Sequence, residues 1–237
     1  METGLEGKRV LVTGGTRGIG RATALAFSRA GARVVACHRG AHEPDEELLQ
    51  ALGALHRADV TRQPEVAALA EAVRDGLGGL DVLVNNAGAD GSAPLARLDE
   101  EEWARVMDRN ATASYRVTRA VLPLLAPGAS VVNIGSAAAL RGRPAAAHYS
   151  AAKAALLGFT RALCKELGPQ GIRVNTIAPG MVADEVEARG PVAEKITAMT
   201  PLGRLCRPED VASAALFLGS DSAAFVSGIT LDVDGGI

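Results

Sequence analysis

The sequence predicts an α/β fold, a doubly wound parallel seven-stranded sheet with helices on both faces, built as a single domain. Three observations predict it. Apolar runs of strand length alternate with longer helical patterns along all 237 residues. The runs are continuously hydrophobic, as strands covered on both faces must be. No proline-rich or serine-rich linker interrupts them, so one domain over 1–237 is the economical reading.

The first strand is RVLVT at 9–13, followed by a helical pattern over 21–30 that Gly31 ends. RVVAC at 33–37 is the second strand, and a shorter run at 54–58 supplies the third. Thr61 and Glu65 frame the start of the next helix, 64–77, which leads into DVLVNN at 81–86. A long helix is predicted over 100–125, then SVVNIG at 130–135, a helix over 149–167, and IRVNTIA at 172–178. A helix at 208–218 and ITLDV at 229–233 complete the alternation. The segment 180–201 has no strand pattern and only a weak helical one; it is either a surface excursion or a lid over a substrate site, and the lid is the expected role.

Hydrophobic residues make up 48% of the chain and charged ones 22%, with a formal net charge of −2 and the signs interspersed. No basic stripe is available for nucleic acid or an anionic membrane, so neither partner is expected. The first residues show no basic and apolar leader, and no apolar run approaches the roughly 18 residues that would span a bilayer. Cys37, Cys164 and Cys206 are an odd, widely spaced set, which argues against disulfides and zinc. Cys37, His38 and His42 have no ligand-spacing motif, so no metal is expected. The expected location is cytoplasmic.

The first strand runs into TGGTRGIG, residues 13–20, and then into a helix. Glycines at 14, 18 and 20 let the backbone turn tightly and approach a pyrophosphate, which the free N–H groups of the helix start would bind. The spacing is G-x-x-x-G-x-G rather than the commoner dinucleotide-binding G-x-G-x-x-G. At the end of the second strand, an acid would hold a free ribose 2′-hydroxyl and an arginine a 2′-phosphate. The chain reads Cys37-His38-Arg39-Gly40, with no acid before Glu43, and Arg17 adds a charge inside the loop. The predicted cofactor is therefore NADPH, with two solvated surface arginines as the plainer alternative.

Taken with NNAG at 85–88, Ser136, Tyr149 and Lys153, the glycine loop resembles that of the short-chain dehydrogenase/reductase family. Many members with similar motifs are 3-oxoacyl-(acyl-carrier-protein) reductases. The resemblance runs through Asp59-Val60, Asn110, Pro179-Gly180 and the terminal SGITLDVDGG, so it covers nearly the whole chain. It implies a Rossmann-type domain. It places cofactor contacts at Gly14, Thr16, Arg17, Gly18, Ile19 and Gly20, at His38, Arg39, Asp59 and Val60, and at Asn86, Ala87 and Gly88. Further contacts are implied at Tyr149, Lys153, Pro179, Gly180 and Val182. Asp184 stands where many members carry a threonine, and its contact with the cofactor is an open question.

The implied catalytic residues are Asn110, Ser136, Tyr149 and Lys153. Tyr149 and Lys153 are four residues apart and share one helix face. An ammonium beside a phenol favours the phenolate and lowers a pKa that is about 10 in isolation. Tyr149 is thus expected to act as general acid in carbonyl reduction and general base in alcohol oxidation. Ser136, just past a strand, can donate to the substrate oxygen. The family implies that Lys153 also holds the nicotinamide ribose and that Asn110 supports a water in a proton relay.

The resulting expectation is an NADPH-dependent reductase acting on a ketone, a 3-oxoacyl compound or a specialised-metabolite carbonyl. The alternatives are an alcohol dehydrogenase working oxidatively and a nonenzymatic NADP-binding sensor or interaction protein. The pocket wall is expected from 89–92, 137–147 and the lid, with Arg141, Arg143 and His148 as a polar margin. The turns Ala126-Pro127-Gly128-Ala129 and Gly168-Pro169-Gln170 carry no basic residue, which argues against a substrate delivered on an acidic carrier. The resemblance also implies a homotetramer.

Overall fold

The computed structural model describes residues 4–40, 44–183 and 190–237; His42, Glu43 and Asp184 lie outside them. Seven strands form one sheet: β1 (Arg9–Thr13), β2 (Arg33–His38), β3 (Ala54–Arg57), β4 (Leu80–Asn85), β5 (Leu125–Ile134), β6 (Arg173–Pro179) and β7 (Thr230–Val233). Every pairing is parallel, in the order β3-β2-β1-β4-β5-β6-β7. The winding direction reverses between β1 and β4, and a crevice opens there beyond the carboxyl ends of the strands.

Both faces of the sheet are covered, and the strands show why their runs are unbroken. Val10, Val12, Val84 and Val132 pack with Phe27 of helix α1 (Gly18–Arg29) and with Val211 and Leu218 of α9 (Pro208–Gly219). Leu11, Val35, Leu83 and Val131 point the other way, into a second core. That core is closed by Val66, Leu69 and Val73 of α3 (Gln63–Leu77), Val117 and Val121 of α5 (Ala113–Val121) and Leu167 of α7 (Ala147–Leu167). The remaining helices are α2 (Glu46–Ala51), α4 (Glu100–Met107), α6 (Ala138–Arg141) and α8 (Pro191–Met199).

A polar ladder crosses the second core. Asn85 Nδ2 donates to Thr118 Oγ1 and to Asn133 Oδ1, each at 2.9 Å. Asn133 Nδ2 donates to Thr160 Oγ1 at 2.8 Å, and the Thr160 and Thr176 hydroxyls pair at 2.7 Å. Asn85 and Asn133 are register partners, as are Asn133 and Thr176, so one row of polar side chains ties β4, β5 and β6 to α5 and α7.

The continuous helix expected over 100–125 is broken. Residues Asp108–Thr112 form a π turn between α4 and α5, and Leu122–Leu124, containing Pro123, tighten into a 3₁₀ turn. Proline supplies no N–H to extend the helical ladder. β5 accordingly begins at Leu125, which pairs with Leu80 before the register shifts to Val82 and Ser130. Helices α2 and α6 fall where no helix was expected, and α8 lies where only a weak helical pattern was read; α2 and α6 span only 6 and 4 residues, too short for a full apolar period.

Candidate active site

The TGGTRGIG turn leaves β1 at Thr13 and enters α1 at Gly18. Gly18 takes φ +49°, a left-handed conformation with open space on its Cβ side. Gly20 serves packing instead: a Cβ there would stand 2.1 Å from the Gly14 carbonyl oxygen. The helix start has no side-chain cap and no acid in its first turn, which leaves its amides free for an anion. Asn86 holds the turn, donating from Nδ2 to the Thr13 and Gly14 carbonyls at 2.9 and 3.0 Å. The Thr13 hydroxyl accepts from the backbone N–H groups of Asn86 and Ala87, both at 3.0 Å.

These segments wall a cleft of about 730 Å³ at the carboxyl edge of the sheet. Of the predicted cofactor residues, Gly14, Thr16, Arg17, Gly18, Ile19 and Gly20 line it from one side. His38, Arg39, Asp59 and Val60 close one end, and Asn86, Ala87, Gly88 and Val182 the other wall. The sequence reading missed Arg109, which lines the same cleft from the π turn. Burial and the neighbouring charges of Arg39 and Arg105 hold the Arg109 guanidinium below its ordinary pKa. Among the described residues neither Arg39 nor Arg109 has an ion-pair partner, so two cations are available at this end. Glycine cradle, free amides and paired cations fit a dinucleotide carrying an extra phosphate.

The predicted catalytic residues converge near the Gly88 to Asp90 end. Gly88 is the pivot: a Cβ there would lie 2.7 Å from Asn110 Oδ1 and 3.4 Å from Lys153 Nζ. Asn110 is buried on the π turn and donates from Nδ2 to the Ala89 and Val106 carbonyls at 2.9 and 2.8 Å. Its side chain thus clamps the chain after β4. Lys153 is buried and donates to the Ile134 carbonyl at 2.9 Å, with Nζ 5.9 Å from the centre of the Tyr149 ring. Burial pulls the Lys153 ammonium down to about 8, against the attraction of Asp90.

Tyr149 departs from expectation in direction. Burial raises its pKa above the ordinary phenol value; the Ser136 hydroxyl and the Arg143 guanidinium pull it back, and Asp90 pushes it up. Desolvation of the phenolate outweighs the Ser136 hydrogen bond and the Arg143 charge. Ser136 follows β5 and accepts from the Ala138 N–H at 3.2 Å, at the start of α6. Pro179 ends β6, its carbonyl accepting from Ala137 N–H at 2.8 Å; Gly180 N–H donates to Val233 O at 2.9 Å. A Cβ on Gly180 would press within 3.0 Å of Asp234, whose carboxylate pairs with Arg141 of α6. Arg141 is therefore occupied by Asp234, Arg143 by Asp90, and His148 is fully buried against Gly91, with Glu102 3.7 Å from Nε2. The polar margin predicted for the substrate is in large part engaged within the protein.

The turns at 126–129 and 168–171 meet each other, with Gly171 packed on Gly128. The first lies in the opening residues of β5 and the second precedes β6, so both lie at the amino edge of the sheet, opposite the catalytic residues. Their lack of basic residues says nothing about a carrier at this chain's own cleft, which corrects the sequence argument.

This fold and this constellation define a pyridine-nucleotide oxidoreductase architecture, and comparison with known proteins agrees. The chain belongs to the short-chain dehydrogenase/reductase family. A family model described as enoyl-(acyl carrier protein) reductase matches residues 14–237. The chain is 38% identical over 239 residues to the 3-oxoacyl-(acyl-carrier-protein) reductase of Vibrio cholerae, covering 98% of each. It is 37% identical over 242 residues to that of Thermotoga maritima, again covering 98% of each. Among solved structures, a Serratia marcescens short-chain dehydrogenase/reductase mutant superposes with a TM-score of 0.94 at 28% identity, over 98% of both chains. A blue fluorescent protein from a metagenomic library, solved in complex with NADPH, superposes at 0.91 with 32% identity, over 98% of both chains.

Proposed function

We propose that this protein is an NADPH-dependent ketoreductase in which Tyr149 is the proton donor. The observation that carries the reading is a cleft with a glycine cradle and three arginines along its length, Arg17, Arg39 and Arg109, that have no ion-pair partner among the described residues, and Ser136, Tyr149 and Lys153 gathered beside it. The relatives named as reductases and the NADPH complex of a structural neighbour support it.

NADPH supplies the hydride when it is bound. The amides of Gly18, Ile19 and Gly20 would hold its pyrophosphate, and Arg39 with Arg109 would take the 2′-phosphate. Asp59 and Val60 would bound the adenosine end, and Lys153 would hydrogen-bond the nicotinamide ribose. On the substrate side, the Ser136 hydroxyl donates to the ketone oxygen and stabilises the negative charge that grows there. The Tyr149 hydroxyl gives that oxygen its proton, so the product is the alcohol; the same groups serve the reverse reaction. Asn110 keeps Ala89 and Gly88 in place beneath them.

The substrate class is a 3-oxoacyl compound or a specialised-metabolite ketone. The described parts of the lid expected over 180–201 are 180–183 and 190–201: 181–183 is laddered to Cys206, α8 exposes Val192 and Met199, and just beyond it Leu202 N–H reaches Gly235 O. A homotetramer is supported by Trp103 on α4, Tyr115 on α5 and Phe225 before β7, all exposed in the single chain. Among the described residues no helix is long and apolar enough to cross a membrane, and we place the enzyme in the cytoplasm.

The test is NADPH oxidation against 3-oxoacyl esters, cyclic ketones and carrier-bound 3-oxoacyl substrates, with Tyr149→Phe as control. Turnover that falls by about 10²-fold or more in the variant supports the reading. Tight NADPH binding with no turnover of any ketone favours the sensor alternative.

A further inference from the structure

The turn joining α6 to α7 is fastened across the cleft rim to the segment after β4. Arg143 Nη2 donates to the Asp90 carboxylate and to the Gly91 carbonyl, the latter at 3.0 Å. Asp90 is itself fixed by the Gly91 N–H at 2.7 Å. Ala93 N–H donates to Ala145 O at 2.7 Å, and Ala145 is held at φ +55°, a conformation that alanine rarely adopts. From this anchored turn the Arg143 guanidinium lies over the Tyr149 ring, 4.9 Å from its centre and nearer than the Lys153 ammonium.

An ion pair whose side chains are 39% and 64% exposed adds little to stability. Its geometry has a different use, because a guanidinium held in two directions presents its plane to an aromatic face. We propose that Arg143 is a positioning residue for Tyr149, oriented by Asp90 and Gly91 so that its cation steadies the phenol ring from one face at the substrate-side rim. Lys153 works from within the same helix; Arg143 works from outside it. The charged and polar groups acting on the phenol are then Lys153 from α7, Ser136 from the end of β5, Arg143 from the turn and Asp90 from the segment after β4. His148, the neighbour of Tyr149 on α7, packs instead against Gly91 and Glu102.

Arg143 favours the phenolate and Asp90 disfavours it, so the two substitutions have opposite signs. This inference rests on Tyr149 being the proton donor, and two readouts separate its failure from failure of that reading. Tyrosines number two in the chain, so a Tyr115→Phe background leaves Tyr149 as the sole phenol. Ultraviolet phenolate absorbance is followed against pH in that background, with circular dichroism confirming the fold at each point. Arg143→Met is expected to move the midpoint up, Asp90→Asn added to Arg143→Met to move it back down by more than Asp90→Asn does alone, and Arg143→Lys to stay near the parent. The upper limb of the kcat profile for ketone reduction moves in the same senses. At neutral pH Arg143→Met lowers kcat about 5-fold with KM for NADPH unchanged, and Arg143→Lys restores part of it. A midpoint that does not move or that falls in Arg143→Met, or an Asp90→Asn shift that is the same with and without Arg143, overturns the proposal whether or not any ketone is turned over.

Discussion

The Lys153 ammonium sits in a buried place with the Ile134 carbonyl as its hydrogen-bond acceptor, and its proton is held less tightly than in water. The unfolded chain keeps that proton up to the ordinary value near 10.5, whereas the fold releases it near 8. The cost of burying the charge is therefore complete below about pH 8 and fades as pH rises toward 10.5. Urea unfolding of the unliganded protein should show a rise in stability from this group across that window, and the rise should be missing in Lys153→Met. At the other end of the cleft, Arg39→Ala should lower kcat/KM for NADPH by about tenfold or more while leaving NADH nearly unchanged, because a charge-assisted contact to the 2′-phosphate is lost. An unchanged cofactor ratio in steady-state assays would count against Arg39. Arg39 was legible in the sequence because it ends a strand at a fixed distance from the glycine loop. Arg109 was not read as part of the site, and Arg143 and the 89–92 wall that contains Asp90 were read as facing the substrate rather than as paired with each other beside Tyr149, since their positions depend on a π turn and two loop segments that no periodicity encodes.

Among the elements, the π turn does most to shape the site. A wider turn at 108–112 lets Asn110 face inward to the Ala89 carbonyl while Arg109 faces the cleft, and a uniform α-helix drawn through 100–125 would not distinguish them. The sequence marked this stretch as helical but gave no sign of the break. The strands were more legible, because their continuous apolar runs are what burial on both faces requires. The polar ladder through them was invisible: Asn85, Asn133 and Thr176 are unremarkable until parallel pairing sets them side by side. Asn133→Leu should cost about 2–3 kcal/mol in urea unfolding, since it breaks two buried hydrogen bonds and leaves Asn85 and Thr160 each short of a partner. An unchanged denaturation midpoint would show that the core repacks around the loss.

At the scale of the molecule, the doubly wound parallel sheet followed from the alternating pattern, whereas the strand order and the crevice between β1 and β4 emerge only in the fold. The homotetramer was implied by resemblance alone; in the fold Trp103, Tyr115 and Phe225 lie exposed, and they are the residues proposed to meet in it. Light scattering on the purified protein should give four times the mass of one 24.3 kDa chain. A monomer in solution would remove the tetramer from the reading. The Arg141–Asp234 pair has a consequence for the order of events in folding. It joins residues 93 positions apart, one on the loop that carries Ser136 and the other just beyond β7. During synthesis the serine loop leaves the ribosome long before its anchor exists, and closing so distant a contact is entropically slow. A nascent chain can bury its central strands early, but it becomes an enzyme only when the last strand has docked.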